Sequence, residues 1–152
     1  MKIEKLQAKN KLDLINYLTE VQNDFYPPLF QRITERSNVK NIHEYCEKLL
    51  SKANVFAIFD LGKIVAVIAI YTNNTIEHEA FIPILSVKNE FKGRGFASRL
   101  LERAFHCAKE YEMKIVAVRT WPENKNAISL YTKNGFKTIK QDKLNLNLKK
   151  EI

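Results

Sequence analysis

Phe91-Lys92-Gly93-Arg94-Gly95-Phe96-Ala97-Ser98-Arg99-Leu100-Leu101 (FKGRGFASRLL, residues 91–101) is the stretch on which the reading of this chain turns. The chain has only four glycines in 152 residues, and two of them stand here. An apolar run ends at Val87, just before them. Ala97, Leu100, Leu101, Ala104, Phe105 and Ala108 follow at helical spacing, to about Tyr111. The stretch is therefore a strand-to-helix corner. The first amides of a helix have no carbonyl partners, and with the macrodipole they make a positive site. Two glycines allow a tight turn and let a bulky anion approach without Cβ contact. Lys92, Arg94 and Arg99 can add charge-assisted bonds. The ligand this chemistry suits is a phosphate or pyrophosphate, although a tight turn that binds nothing reads the same way. The P-loop pattern is absent. The dinucleotide fingerprint fails at its third glycine, where Ser98 stands, and no opening βαβ unit surrounds it.

Working outward, Met1–Ala8 reads as a strand and Lys11–Asn23 as a helix. Phe25-Tyr26-Pro27-Pro28-Leu29-Phe30 breaks that helix, since adjacent prolines disfavour both helix and paired strand. A second helix follows Asn41. Val55–Asp60 and Lys63–Tyr71 form a hairpin around Leu61-Gly62, and Thr75–Val87 is a third long strand. Pro83 inside it cannot donate to a ladder and predicts a bulge, or a place where a neighbouring strand departs. After the glycine corner and its helix come a strand, Ile115–Thr120, and a short helix, Asn126–Lys133, stopped at Asn134-Gly135. A closing hairpin pairs Phe136–Lys140 with Leu144–Leu148. The order β-α-α-β-β-β-α-β-α-β-β is mixed α/β (α+β), an antiparallel meander followed by crossovers.

The bulk properties set limits on function. No linker or repeat divides the chain, so residues 1–152 are expected to form a single domain with one hydrophobic core. No apolar run suits a membrane span, and the first 20 residues resemble neither a signal nor a transit peptide, so a cytoplasmic protein without membrane partners is expected. Cys46 and Cys107 read as buried apolar residues, with no disulfide framework and no metal site. The net charge is +8. Residues 137–150 carry five lysines against one aspartate, and residues 88–114 carry seven Lys/Arg against four Glu. Neither is an uninterrupted basic block, which disfavours nucleic acid. A lysine-rich surface and a polyanionic small molecule both remain open.

A second constellation joins the first. Residues 124–136, NKNAISLYTKNGF, align Asn124, Ala127, Leu130, Tyr131, Lys133, Gly135 and Phe136 in an Asn-x-x-Ala-x-x-Leu-Tyr-x-Lys-x-Gly-Phe pattern. Together with Lys92-Gly93-Arg94-Gly95-Phe96-Ala97, this resembles the GNAT superfamily of acyl-CoA-dependent N-acyltransferases. The likeness runs most firmly from about Val55 to Leu148. Lys92 stands where the family usually has Arg or Gln, and Asn89 where it usually has Pro; a lysine still leaves its backbone amide available.

The resemblance implies a mostly antiparallel sheet, splayed at the bulge near Pro83 into a V that admits a thioester. It implies that amides of Lys92, Gly93, Arg94, Gly95, Phe96 and Ala97 hold the pyrophosphate of acetyl-CoA. The backbone of Leu85 and Val87 would follow the pantetheine arm, Asn124 would contact that arm, and Tyr131 would protonate the leaving thiolate. The last role is chemically reasonable on its own. An amine attacking a thioester forms an oxyanion that backbone N–H groups can stabilise, and a thiolate of pKa about 8.5 must then leave. By spacing alone, Tyr131 reads first as a core aromatic at helical spacing from Ala127.

For a general base, strand alternation puts Glu77 and Glu79 on one face with Phe81, Pro83 and Leu85. Glu79 is the candidate, against the alternative of a solvated strand end. Neutralising a lysine side chain at pH 7 costs about 4.6 kcal/mol, an amine of pKa near 8 about 1.4 kcal/mol, so a water relay suffices for the second kind. The acceptor pocket of the family is built by the first helices and their connection. Phe25 and Tyr26, with Trp121 after the later strand, are therefore candidate substrate-binding residues. The Phe25–Phe30 segment also resembles family members of bacterial polysaccharide or amino-sugar pathways, although a hydrophobic connector covering the sheet reads the same way. The expected activity is acetyl-CoA-dependent N-acetylation of a small-molecule amine, such as an amino sugar. A peptide or protein acceptor is the second enzyme reading, and a non-catalytic CoA- or nucleic-acid-binding module is the reading of another class. A homodimer stays open.

Overall fold

The computed structural model describes residues 1–152. Its centre is a seven-stranded sheet in the order β1-β2-β3-β4-β5-β7-β6. The strands are β1 (Ile3–Lys5), β2 (Asn54–Asp60), β3 (Lys63–Tyr71), β4 (Glu79–Val87), β5 (Ile115–Thr120), β6 (Lys137–Gln141) and β7 (Leu146–Glu151). Only β4 and β5 pair in parallel. Their connection crosses one face of the sheet as helix α4 (Phe96–Glu110), preceded by a 3-10 turn at Asn89–Phe91. Helices α1 (Lys11–Val21), α2 (Leu29–Arg36) and α3 (Ile42–Lys52) cover the other face, and α5 (Lys125–Lys133) follows β5. No helix is long and apolar enough to cross a membrane.

Hydrophobic alternation along the strands feeds two cores, one on each face. Phe56, Ile58, Ile68 and Ile70 pack beneath Leu100, Leu101 and Ala104 of α4. Val55, Ala57, Val67 and Ala69 pack beneath Leu14, Leu18, Tyr45 and Leu49 of α1 and α3. Each such buried Leu or Ile contributes roughly 1.5–3 kcal/mol of transfer free energy. Cys46 and Cys107 are free thiols buried in these cores, and burial pushes the Cys46 thiol up to about 12.

Two departures from the sequence reading have clear causes. A third helix, α2, stands before β2, where the chain was read as a break followed by one helix. Pro28 is extended (φ −49°, ψ 146°) and sits immediately ahead of the first turn, where no N–H is needed. Leu29 and Ile33, four apart, are both fully buried beneath the turn. The prolines therefore start this helix as well as ending the previous one. The third long strand also begins at Glu79, not Thr75. Thr75–His78 forms a turn in which His78 adopts φ +54°.

The bulge expected at Pro83 is present. Ala69 pairs with Ile84 and Tyr71 with Phe81, so two β4 residues, Ile82 and Pro83, oppose the single residue Ile70. Pairing of β4 with β5 stops at the same place, at Ile82 opposite Val118. Beyond it the strands part into a V. The bulge also exchanges faces. Ala80 and Ile82 belong to the α4-side core, whereas Ile84 belongs to the α1–α3 side and Leu85 and Val87 turn back toward α4.

Candidate active site

The glycine corner opens into a cavity of about 450 Å³. Helix α4 has no side-chain cap, and its first backbone bond runs from Arg99 N–H to Gly95 O. The amides of Phe96, Ala97 and Ser98 therefore have no helical acceptor. Gly93 and Gly95 adopt φ +80° and +79°, a left-handed conformation that other residues rarely enter. A Cβ built at either would meet nothing within 4 Å, so the protein leaves the space beside both glycines open. Unpaired amides, a positive helix end and open room form a cradle that fits a pyrophosphate. A group of the size and charge of CoA therefore has a matching site.

Leu85 and Val87 on β4, Lys92, Gly93, Gly95, Phe96 and Ala97 at the corner, and Asn124 ahead of α5 all line this cavity. Arg94 does not. Its guanidinium lies 4.7 Å from the centre of the Phe91 ring and bonds Glu90 O at 3.4 Å. Arg99, a second candidate cation, is tied to the Met1 carbonyl at 2.6 Å. Asn124 accepts from Ala127 N–H at 3.4 Å as the cap of α5, and donates to Thr120 Oγ1 at 2.8 Å. The cavity thus begins at one helix start and ends at another.

Tyr131 lies on the same wall, 7% exposed, held edge-on against Phe136 at 5.3 Å between ring centres. Burial pushes its pKa up to about 12, opposed by the positive charge of Arg32. The phenol is therefore protonated throughout the neutral range. Phe25 and Trp121 also line the cavity. Tyr26 does not reach it; it packs edge-on against Trp121 at 5.8 Å and is exposed.

Glu79 stands apart from this group. It lies on the paired side of the bulge, opposite Ile115, with its carboxylate 2.8 Å from Lys149 Nζ. The reading that set it on one face with Leu85 assumed unbroken alternation, and the extra residue at Ile82–Pro83 reverses the face between them. Asp24, an exposed residue of the 3-10 turn Gln22–Asp24 after α1, is the acidic residue that lines the cavity instead. The sequence offered no spacing that would have singled it out. Ser98 and Asn126 are further polar residues on the wall that the sequence reading passed over. For Ser98 the signal existed, since it takes the third-glycine position of the failed fingerprint.

A second cavity, about 270 Å³, lies on the α1–α3 side of the same parting of β4 and β5, with Phe81, Pro83 and Arg119 on its wall. Arg32 of α2 lines it and stacks over Phe25, which lines the first cavity, at 5.3 Å. The two cavities are therefore neighbours across the V.

A glycine corner at a β–α crossover, a splayed sheet and a buried tyrosine beyond the gap meet in one site. Residues 15–136 match the acetyltransferase (GNAT) family, and the chain belongs to it. Its fold is similar to that of the PaiA N-acetyltransferase of Thermoplasma acidophilum in complex with coenzyme A, at 20% identity and a TM-score of 0.78, covering all of both chains. It is similar to the GNAT domain of S. lividans PAT, at 15% identity and a TM-score of 0.80, covering 99% of this chain and 89% of that one. The ribosomal-protein-S18-alanine N-acetyltransferase of Escherichia coli is another neighbour, at 15% identity and a TM-score of 0.76, covering 99% and 93%.

Proposed function

We propose that the protein is an acetyl-CoA-dependent N-acetyltransferase acting in the cytosol on the amine of a small molecule, with amino sugars among the candidates. The observation that carries this reading is the uncapped glycine corner, which opens into one cavity together with Tyr131 and the β4–β5 gap.

When bound, acetyl-CoA supplies an activated acetyl thioester. The residues then have the following work. Amides from Gly93 to Ser98 bind the pyrophosphate and fix the direction of entry. The β4 edge from Leu85 to Val87, released from β5, offers backbone groups to the pantetheine arm and to developing negative charge. Asp24 takes the proton of the incoming amine, directly or through water. In the net reaction a C–N bond forms, the C–S bond breaks, the nitrogen gives up a proton and the sulfur leaves with one.

Tyr131 holds the proton for the departing sulfur. Full transfer from a phenol of pKa about 12 to a thiolate of pKa about 8.5 is uphill by about 5 kcal/mol. Its role is therefore a hydrogen bond that strengthens as sulfur gains charge, with completed transfer requiring reprotonation from the amine side.

Calorimetry with acetyl-CoA tests the first half of the reading, with saturable binding expected. A folded protein that shows no heat of binding at millimolar acetyl-CoA would overturn it. Thiol release with a panel of amino sugars and peptides tests the second half; release with peptides alone would move the acceptor to the protein class.

A further inference from the structure

The α1–α3-side cavity is lined by Arg32 and Arg36 of α2, Lys48 of α3 and Arg119 of β5, and by no acidic residue. None of the four forms a salt bridge. Arg32 and Arg119 lie over the rings of Phe25 and Phe81, and the hydrogen bonds of the set go to neutral oxygens. Lys48 Nζ donates to Ser37 O at 3.0 Å, Arg36 to Asn145 Oδ1 at 3.0 Å and Arg119 Nε to Asn147 Oδ1 at 3.2 Å. Such bonds orient the cations and leave their charge uncompensated. Surface lysines scattered over a basic protein point into solvent, where water screens them. Here four cations from three separate elements converge on one concavity beside the V.

Arg32 is the deepest of the set. It is held over the Phe25 ring, and burial, reinforced by the positive charges of Arg36 and Arg119, pushes its pKa down. An anion beside it would relieve both effects. The hydroxyls of Tyr45 and Tyr71 on the same lining are neutral donors. A guanidinium fork matches a carboxylate or phosphate in plane, which an amine or a neutral sugar does not.

We propose that this cavity binds an anionic group, a carboxylate or a phosphate, carried by the acceptor amine, with Arg32, Arg36 and Arg119 as its counter-charges. The proposal rests on the acetyltransferase reading and narrows its substrate class. Pro83 and Arg119 stand where the strands first part, so an acceptor anchored here presents its amine to the gap from the face opposite the glycine corner. The volume, about 270 Å³, suits an amino acid or a phosphorylated amino sugar and leaves little room for a folded partner.

The test has two parts. First, CoA-saturated protein is titrated with inorganic phosphate and, separately, with glutarate, following the arginine Nε–H resonances and the heat. Saturable millimolar binding is expected. Arg119→Gln, an exposed position, should weaken it at least tenfold and change the acetyl-CoA Kd less than twofold. No saturable binding of either anion, or equal binding by the variant, overturns the proposal. Second, acetylation is compared within matched pairs, an amino acid with its primary amide and an amino sugar with its phosphate ester. The charged member of at least one pair should be preferred tenfold or more in kcat/KM, chiefly through KM, and the pair that responds identifies carboxylate or phosphate. Neutral members used equally well, or an acidic peptide preferred over both pairs, overturn it. If acetyl-CoA fails to bind, the acetyltransferase reading falls. The anion titration of unloaded wild type against Arg119→Gln then still decides whether the cavity is an anion site.

Discussion

The two cavities that meet at the β4–β5 gap are built from different materials. The first cavity is backbone at its glycine corner, whatever side chains line the rest of it: amides left over at a helix start, two left-handed glycines, and a strand edge released from its neighbour. The α1–α3-side cavity is side chain: guanidinium and ammonium groups brought from α2, α3 and β5. A backbone site keeps its shape when most side chains around it change, so it suits the part of a reaction common to a family. A side-chain site can be rewritten residue by residue, so it suits the part that differs between members. Under the proposed function, the same contrast would separate acyl-CoA binding from selection of the amine.

The comparison can be broken first at the backbone. Gly95→Val places a β-branched residue at φ +79°, where a strain of roughly 1–3 kcal/mol is expected. Because the corner sets the directions of the amides, acetyl-CoA affinity should fall 100-fold or more by calorimetry. An unchanged Kd would show that the amides of this corner do not hold the cofactor. Tyr131→Phe comes next. It removes one donor from a buried wall, so kcat should fall about 10- to 100-fold while acetyl-CoA affinity stays within threefold. A large loss of affinity instead would make the tyrosine structural.

The sign of its pH effect follows from the raised pKa. The folded protein holds the phenolic proton more tightly than the unfolded chain does, so this contribution to stability is complete below about pH 10 and is lost as pH rises toward about 12. For the same reason the wild-type kcat profile should show no descending limb from Tyr131 near pH 10. The smallest effect concerns the carboxylates. Asp24→Asn should lower kcat/KM about tenfold or more at neutral pH, whereas Glu79→Gln should leave it within twofold. The partly exposed ion pair of Glu79 with Lys149 is worth at most about 1 kcal/mol of stability. The reverse ranking would return the base to Glu79.

The legibility of the molecule follows the same division. The corner at residues 92–97 could be read because backbone requirements leave few residue choices, glycine for a positive φ, and the run from Asn124 to Phe136 because it matches a family pattern; that Asn124 caps α5 is visible only in the structure. Pro83 announced the bulge for a similar reason, the missing N–H. Glu79 was misplaced because alternation was carried through that bulge, and a single extra residue reverses every later face. Arg94 and Arg99 were counted as ligands because charge is visible in a sequence, while the direction of a long side chain is decided by what it packs on, here Phe91 and the Met1 carbonyl. Helix α2 is hard to see in the sequence because a proline pair reads as a stop, although the second proline also starts a helix. The cationic cavity had no local signature at all, since its members lie on elements far apart in the chain.

The bulge at Ile82–Pro83 makes β4 a strand with a change of parity. Upstream of it, even-numbered residues look toward α4; downstream, odd-numbered ones do. Deleting one residue there would restore a uniform count and turn the distal half of the strand over. Leu85 and Val87 would then face α1, and Ser86, which now bonds Tyr17 at 2.8 Å, would face α4. The wall that this strand gives the first cavity would be turned inside out, while Phe81, before the bulge, would keep its place on the second.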